Sequence, residues 1–283
     1  MGRRFYILIN YLWILLTATA LPASASSPRA DLLLVHGYAS GPDAWRASGV
    51  MSRLQREGWR DCGGFQIGAE GSLRLAITGD QEERCLYRVD LPSEASLSYQ
   101  ADALHAIMTA MMRKRPQTVH LAAGHSAGGV VVRLAMVRYP ELEFSGLITV
   151  ATPHLGTDAA KLAHFLAQTP VSMMAPFIGL GTLNRSQRLY AELEPESPGN
   201  FLYWLNHARH PKAHYLAIVR HSGSLGGADP FVAPESQDLT RVEALKGRAE
   251  KVVSGSGHSL EAEDGQLMAE FFDRWLADER ETK

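Results

Sequence analysis

Several things are scarce in this sequence, and each shortage excludes a class of function. Positive charge is not in surplus: 28 Lys and Arg stand against 30 Asp and Glu, a formal net charge of −2. The cationic footprint that neutralises phosphates is missing, so a nucleic-acid partner is excluded. Cysteine is nearly absent. Cys62 and Cys85 are the whole complement, in neither a C-x-x-C spacing nor the company of a histidine, which argues against redox or metal chemistry at either. Internal repeats and low-complexity tracts are lacking, which excludes solenoids and disordered assemblies. What is present, 46% hydrophobic and 20% charged residues over 283 positions, suffices for one large domain with a sizeable core.

The longest apolar run lies at the N-terminus. Arg3 and Arg4 precede apolar residues 5–16, small residues follow, and Pro22 breaks the segment before Ala23-Ser24-Ala25. That order reads as a signal peptide over residues 1–25, cleaved after Ala25. The run is shorter than the ~20 residues a membrane span needs, and Asn10 interrupts it. Export to the periplasm or the medium is therefore expected. In such an oxidising compartment Cys62 and Cys85 should form one disulfide, stabilising by roughly 3 kcal/mol.

From residue 30 to residue 280 short β-branched apolar runs alternate with helical periodicity, the signature of an α/β domain on a mostly parallel sheet. Strands are expected at 32–35, 118–122, 146–151, 215–219 and 251–253, and helices at 101–113, 129–138 and 266–278. Two segments break the rhythm. Residues 58–90, with both cysteines, read as a small antiparallel excursion stapled by the disulfide. Residues 158–211 are too long for a connection and predict a helical cap inserted before the strand at 215–219.

Directly after the strand at 118–122 stands Gly124-His125-Ser126-Ala127-Gly128-Gly129, followed by a Val-rich helix. A G-x-S-x-G between a buried strand and a helix forces a tight turn that presents its central hydroxyl above the sheet edge. Ser126 is thus a candidate nucleophile. A serine hydroxyl needs a base to take its proton and an acid to orient that base. Among 11 histidines, His258 is the one both downstream and in a Gly-rich loop after a late strand. For the acid, Asp229 lies in the Gly-rich loop after the strand at 215–219, with Glu235, Asp238 and Asp264 as competitors. Two amide donors for a developing oxyanion are expected at Ala127, after the nucleophile, and at Tyr38, in the turn His36-Gly37-Tyr38 after the first strand. His36 and His125 are read as packing or local hydrogen-bonding residues, and His154 as a residue of the cleft wall.

These pieces together resemble the secreted or periplasmic α/β-hydrolases of the lipase and esterase group. The resemblance rests on His36-Gly37-Tyr38, the elbow at 124–129, Ala151-Thr152-Pro153-His154-Leu155-Gly156-Thr157, the Asp229 loop and the His258 loop, in the family's order across nearly the whole chain. It implies the α/β-hydrolase fold, the triad Ser126, Asp229 and His258, the oxyanion donors Tyr38 and Ala127, and a cap beginning after residues 152–157. No cofactor is implied. Calcium-dependent lipases carry an Asp close after the triad His, whereas Ser259-Leu260-Glu261 stands here, so no structural metal is expected. His207, His210 and His214 share their spacing with no carboxylate or Cys and read as a solvated loop.

The implied function is hydrolysis of acyl or lipid esters through an acyl-enzyme on Ser126, with a thioesterase or acyltransferase as the alternative on the same triad. A non-catalytic relative that binds a partner would not need Ser, acid and His together. The cap stretch 171–181 is apolar and Met-rich, which suits an acyl chain, so Met173, Met174, Phe177 and Ile178, with His154 in the cleft wall, are candidate substrate-binding residues. A transient contact with a lipid interface through the cap is a further expectation.

Overall fold

A computed structural model describes residues 28–67, 73–79, 82–158, 186–221 and 228–281. Strand β1 (Ala30–Val35) is buried along its whole length, as its apolar run from residue 32 to 35 requires of a strand covered on both faces, and its one acid, Asp31, is paired with Arg115. It pairs in parallel with β4 (Arg84–Asp90) on one side and β5 (Val119–His125) on the other. Beyond β5 follow β6 (Phe144–Val150), β7 (His214–Val219) and β8 (Ala249–Val253), all parallel. On the other flank β2 (Arg60–Ile67) pairs in parallel with β4, and β3 (Leu73–Ile77) closes the edge antiparallel to β2. The resulting eight-stranded sheet has the order β3-β2-β4-β1-β5-β6-β7-β8.

Alternate residues of β1 enter different cores, because successive side chains of a strand point to opposite faces. Leu32 and Leu34 join a cluster with Trp45, Trp59, Phe272 and Trp275. This cluster is supplied by α2 (Val50–Arg56) and α8 (Ala262–Glu281), entered through the short α1 (Ala44–Ala47). Leu33 and Val35 face the second cluster, built by α3 (Leu97–Lys114) and α4 (Ala127–Arg138). Helix α4 is buried almost all round, which accounts for its run of valines. Each such side chain contributes roughly 1.5–3 kcal/mol by leaving water. The expected helices lie inside α3, α4 and α8, and each observed helix begins a few residues earlier. For α3 the reason is a cap: the Ser96 hydroxyl accepts from the Tyr99 amide at 3.2 Å, satisfying a donor that the helix itself cannot.

The excursion expected at 58–90 is corrected by the pairing. Only β2 and β3 are antiparallel; β4 inserts between β2 and β1, parallel to both. Its Cys85, Leu86, Tyr87 and Val89 are all buried, and an outlying ribbon would have left one face of that run in water. The disulfide joins Cys62 and Cys85 across these neighbouring strands, with 5.4 Å between the Cα atoms. Within the expected cap the described residues form α5 (Gln187–Glu192) and α6 (Phe201–His207). Met173, Met174, Phe177 and Ile178 lie outside the described residues, as does the segment 1–25. Among the described residues no helix is long and apolar enough to cross a membrane. A further short helix, α7 (Pro234–Gln237), follows β7.

Candidate active site

The C-terminal ends of β5, β7 and β8 meet at one edge of the sheet, where open parallel sheets build their sites. Ser126 stands between the last residue of β5 and the first of α4 with φ 51° and ψ −131°. A left-handed conformation costs a non-glycine residue on the order of 1–3 kcal/mol and persists only where surroundings impose it. Here the Ser126 amide donates to Val150 O at 2.9 Å, and Ser126 O accepts from Gly129 N at 3.1 Å. The small flanking residues are required by space. A Cβ on Gly124 would come within 2.4 Å of Gly129 Cα, and one on Gly128 within 2.3 Å of His36 O.

The Ser126 hydroxyl meets His258 Nε2 at 2.9 Å, and His258 Nδ1 meets Asp229 Oδ2 at 2.7 Å. Because a carboxylate accepts, Nδ1 carries the imidazole proton, which leaves the Nε2 lone pair to accept from the Ser126 hydroxyl. The Asp229 side chain is fully buried yet well supplied with donors. Oδ1 accepts from the amides of Phe231 at 2.8 Å and Val232 at 3.0 Å, and Oδ2 from Gln237 Nε2 at 2.9 Å. The competing acids are engaged elsewhere or turned to water. Asp238 accepts from Lys251 Nζ at 2.5 Å, Glu235 is exposed, and Asp264 pairs with Arg220.

Arg220 was not legible as a site residue, yet it organises the histidine loop. Its guanidinium, wholly buried, reaches Asp264 at 2.7 and 2.8 Å, Ser254 O at 3.1 Å and Ser259 O at 2.5 Å. Asp264 in turn accepts from the Glu261 amide at 2.8 Å. The carbonyls of residues on both sides of His258 are therefore held by one planar cation. Gln237, also unforeseen, links Asp229 to the Arg220 amide, which donates to Gln237 Oε1 at 2.8 Å. The available signal for Arg220 was a cation closing the apolar run of β7, with Asp264 in the first turn of α8.

Two further imidazoles act locally, as expected. His125 donates from Nε2 to His258 O at 2.8 Å; burial first, and then the neighbouring His258, push its pKa down to about 3, so the ring is neutral. His36 Nε2 accepts from Leu91 N at 3.2 Å, which leaves Nδ1–H to donate to Gly37 O at 3.0 Å. In a trans peptide C=O and N–H point in opposite directions, so this bond turns the Tyr38 amide away from His36. The same turn lies against Ser126, since a Cβ on Gly37 would sit 2.8 Å from Ser126 Cβ. Tyr38 and Ala127 thus flank Ser126 in a common cleft. The Tyr38 ring is fixed by its hydroxyl, 2.5 Å from Tyr190 Oη on α5 and 3.2 Å from Ser186 Oγ.

His154 departs from the expectation of a cleft-wall residue. It is completely buried, its Nε2 is 3.0 Å from Thr149 Oγ1 within β6, and it lines neither cavity beside Ser126. Its neutral form suits that position, for burial holds its pKa well below the usual histidine value. The solvated-loop reading of the three neighbouring histidines is corrected: His207 ends α6 and donates to Tyr203 O, His210 is buried and donates to Ala208 O, and His214 opens β7 and stacks on Trp275.

Several solved structures share this architecture. The mature lipase BlEst2 of Bacillus licheniformis superposes with a TM-score of 0.55 at 15% identity, covering 90% of this chain and 95% of its own. The esterase Pf2001 of Pyrococcus furiosus gives 0.54 at 16% identity, covering 88% and 83%. A thioesterase of Streptomyces coelicolor, RedJ, gives 0.50 at 16% identity, covering 89% of each chain. Likeness at this identity establishes the fold alone. No curated protein matches the sequence. Residues 32–271, a span that reaches from within β1 to beyond β8 and includes Ser126, Asp229 and His258, match the family model described as the alpha/beta hydrolase family, and the chain belongs to that family.

Proposed function

We propose that the protein is a serine hydrolase that cleaves carboxylic esters through an acyl-enzyme on Ser126. The observation that carries this reading is the unbroken hydrogen-bond chain from Asp229 through His258 to Ser126, at a turn where Ser126 holds a positive φ.

In the first half-reaction Ser126 Oγ attacks the ester carbonyl carbon while His258 Nε2 takes the hydroxyl proton. The charge that develops on the carbonyl oxygen is met by the amides of Tyr38 and Ala127, the latter at the positive end of α4. His258 returns the proton to the leaving alkoxide as the carbon–oxygen bond breaks. Water then repeats the sequence against the acyl-enzyme, restoring Ser126 and releasing the acid. Asp229 holds the tautomer and stabilises the imidazolium formed in each half. Export through residues 1–25, lipid esters as substrates and contact of the cap with a lipid surface through residues 171–181 belong to the same proposal.

The test is covalent labelling by a fluorophosphonate together with turnover of p-nitrophenyl esters from C2 to C16, for the wild type and Ser126→Ala. Labelling should vanish and kcat should fall on the order of 10⁶-fold in the variant. Undiminished ester turnover by Ser126→Ala would overturn the reading. Thioesters hydrolysed faster than the matched oxygen esters would replace it with the thioesterase alternative, and faster acyl transfer to an added alcohol than to water with the acyltransferase.

A further inference from the structure

Asp229 is an acid without a cationic side chain beside it. Its carboxyl is fully buried, and among the described residues no Lys or Arg pairs with it. A charge taken out of water in this way persists only where hydrogen bonds replace its hydration. Four donors do so. The amides of Phe231 and Val232 serve Oδ1, while Oδ2 accepts from His258 Nδ1 at 2.7 Å and from Gln237 Nε2 at 2.9 Å. Two of the four are backbone and one is the histidine itself, so Gln237 supplies the remaining side-chain donor. It is buried at the end of α7. Its Nε2 also donates to Val232 O at 2.8 Å, and its Oε1 accepts from the Arg220 amide at 2.8 Å. A flipped carboxamide would set Oε1 against two oxygens and Nε2 against an N–H, so these partners fix its orientation. The helix is held as well: Ser236 Oγ donates to Gly156 O at 2.6 Å, and Ser236 O accepts from His154 N at 2.8 Å.

We propose that Gln237 is a positioning residue of the triad: it selects Oδ2 as the oxygen that faces His258, and by drawing on that oxygen it sets how tightly Asp229 holds the imidazolium formed in each half-reaction. The inference rests on the reading of Ser126 as the nucleophile. With two amides on Oδ1 and Gln237 on Oδ2, the carboxylate cannot turn about its own axis without losing donors. A donor on a charged oxygen favours the ionised form and takes up part of its charge, so an Oδ2 relieved of Gln237 attracts a protonated ring more strongly. His258 then stays protonated to higher pH, where it cannot take the Ser126 proton. No other charge facing His258 changes when Gln237 is replaced. Its other neighbours are Ser126 Oγ at 2.9 Å, the neutral His125 ring at 5.2 Å, the Phe231 ring, and the Arg220 guanidinium acting through the Ser259 carbonyl. Through Oε1 the same carboxamide reaches the Arg220 amide, so the acid and the histidine loop share one support at the end of β7.

The experiment records kcat and KM for one p-nitrophenyl ester across the pH range for the wild type, Gln237→Met and Gln237→Glu, with fluorophosphonate labelling and urea unfolding of each. Gln237→Met should lower kcat by about tenfold or more and leave KM within about twofold. The acid limb of its kcat/KM profile should move up by about half a pH unit or more. Gln237→Glu keeps the shape of the side chain. While protonated, its carboxyl donates to Oδ2 and accepts from the Arg220 amide; once ionised, it sets two carboxylates against each other. Its profile should therefore become a bell, falling on the alkaline side where the wild type stays level. A Gln237→Met protein that is less stable in urea but keeps the wild-type acid limb would show that Gln237 only supports the fold, and would overturn the proposal. So would a rise in KM at unchanged kcat. Should the methionine variant not fold, the glutamate variant decides alone, and an unchanged alkaline side overturns the proposal. Absence of labelling in the wild type is a different result: it removes the nucleophile reading itself, and this inference with it.

Discussion

Arg220 and Asp264 form a two-point ion pair with no solvent exposure on either side chain, and the same guanidinium holds the carbonyls of Ser254 and Ser259. The loop bearing His258 is thus fastened from beneath by a charge that the sequence places directly after β7.

Replacing Arg220 with Met leaves Asp264 buried without its cation, which costs about 3–5 kcal/mol. The double variant Arg220→Met/Asp264→Leu should recover most of that stability in urea unfolding. Its kcat should stay depressed, because the two loop carbonyls still lack their donor. Full activity in the double variant would show that the loop needs no such brace.

Asp229→Asn should lower kcat about 10⁴-fold with little change in KM. The Asn oxygen would keep the two backbone donors of Phe231 and Val232. Its NH₂ would then face His258 Nδ1 and force the proton onto Nε2, where it blocks acceptance from Ser126. Steady-state kinetics with circular dichroism checks both halves of the expectation.

Removing the disulfide by Cys62→Ala/Cys85→Ala should cost about 3 kcal/mol, the chain-entropy value for a loop closed across a separation of 23 residues. The loss should be read in denaturant midpoints, and reductant should destabilise the wild type by the same amount while leaving the variant unchanged.

Stability should fall on acidification below neutral pH. Burial holds His125 and His210 down to about 3 and His120 to about 4, and His154 well below its ordinary value. The unfolded chain protonates these rings near pH 6.5, so below that point it binds more protons than the native state and ΔG of unfolding declines. Each ring contributes a slope of about 1.4 kcal/mol per pH unit between pH 6.5 and its folded value. Asp31 acts with the opposite sign: burial, outweighing Arg115, raises it to about 6, which offsets one of the four between about pH 4 and 6. His210→Gln should make the measured slope shallower by about one ring's worth. An unchanged slope would mean that His210 is protonated in the folded protein.

Much of this was readable from residues alone, and the reasons are physical. Ser126 carries a local signature, since a strained turn needs small neighbours on both sides, and those neighbours are adjacent in sequence. Asp229 and His258 could be picked out because Gly-rich loops after strands mark the sheet edge where a site is built. Arg220 left no comparable mark: an arginine after a strand resembles any solvated loop residue until its partner, 44 positions later, is brought against it. The place of β4 was likewise hidden. Alternation and turn residues describe a hairpin locally, but insertion between β2 and β1 is decided by apolar area that only the whole sheet can cover. His154 was misassigned because a motif neighbour near the site in sequence turned inward, toward the hydroxyl of Thr149.

The bond from His125 to the carbonyl of His258 joins the residue preceding Ser126 to the residue whose imidazole is hydrogen-bonded to the Ser126 hydroxyl. The two residues are consequently tied directly to each other, although one follows the interior strand β5 and the other the outermost strand β8. Because β8 is the outermost strand and leads into the His258 loop, fraying of that edge by heat or shear should be felt first at this bond, and ester turnover ought to fade before the central layer itself gives way.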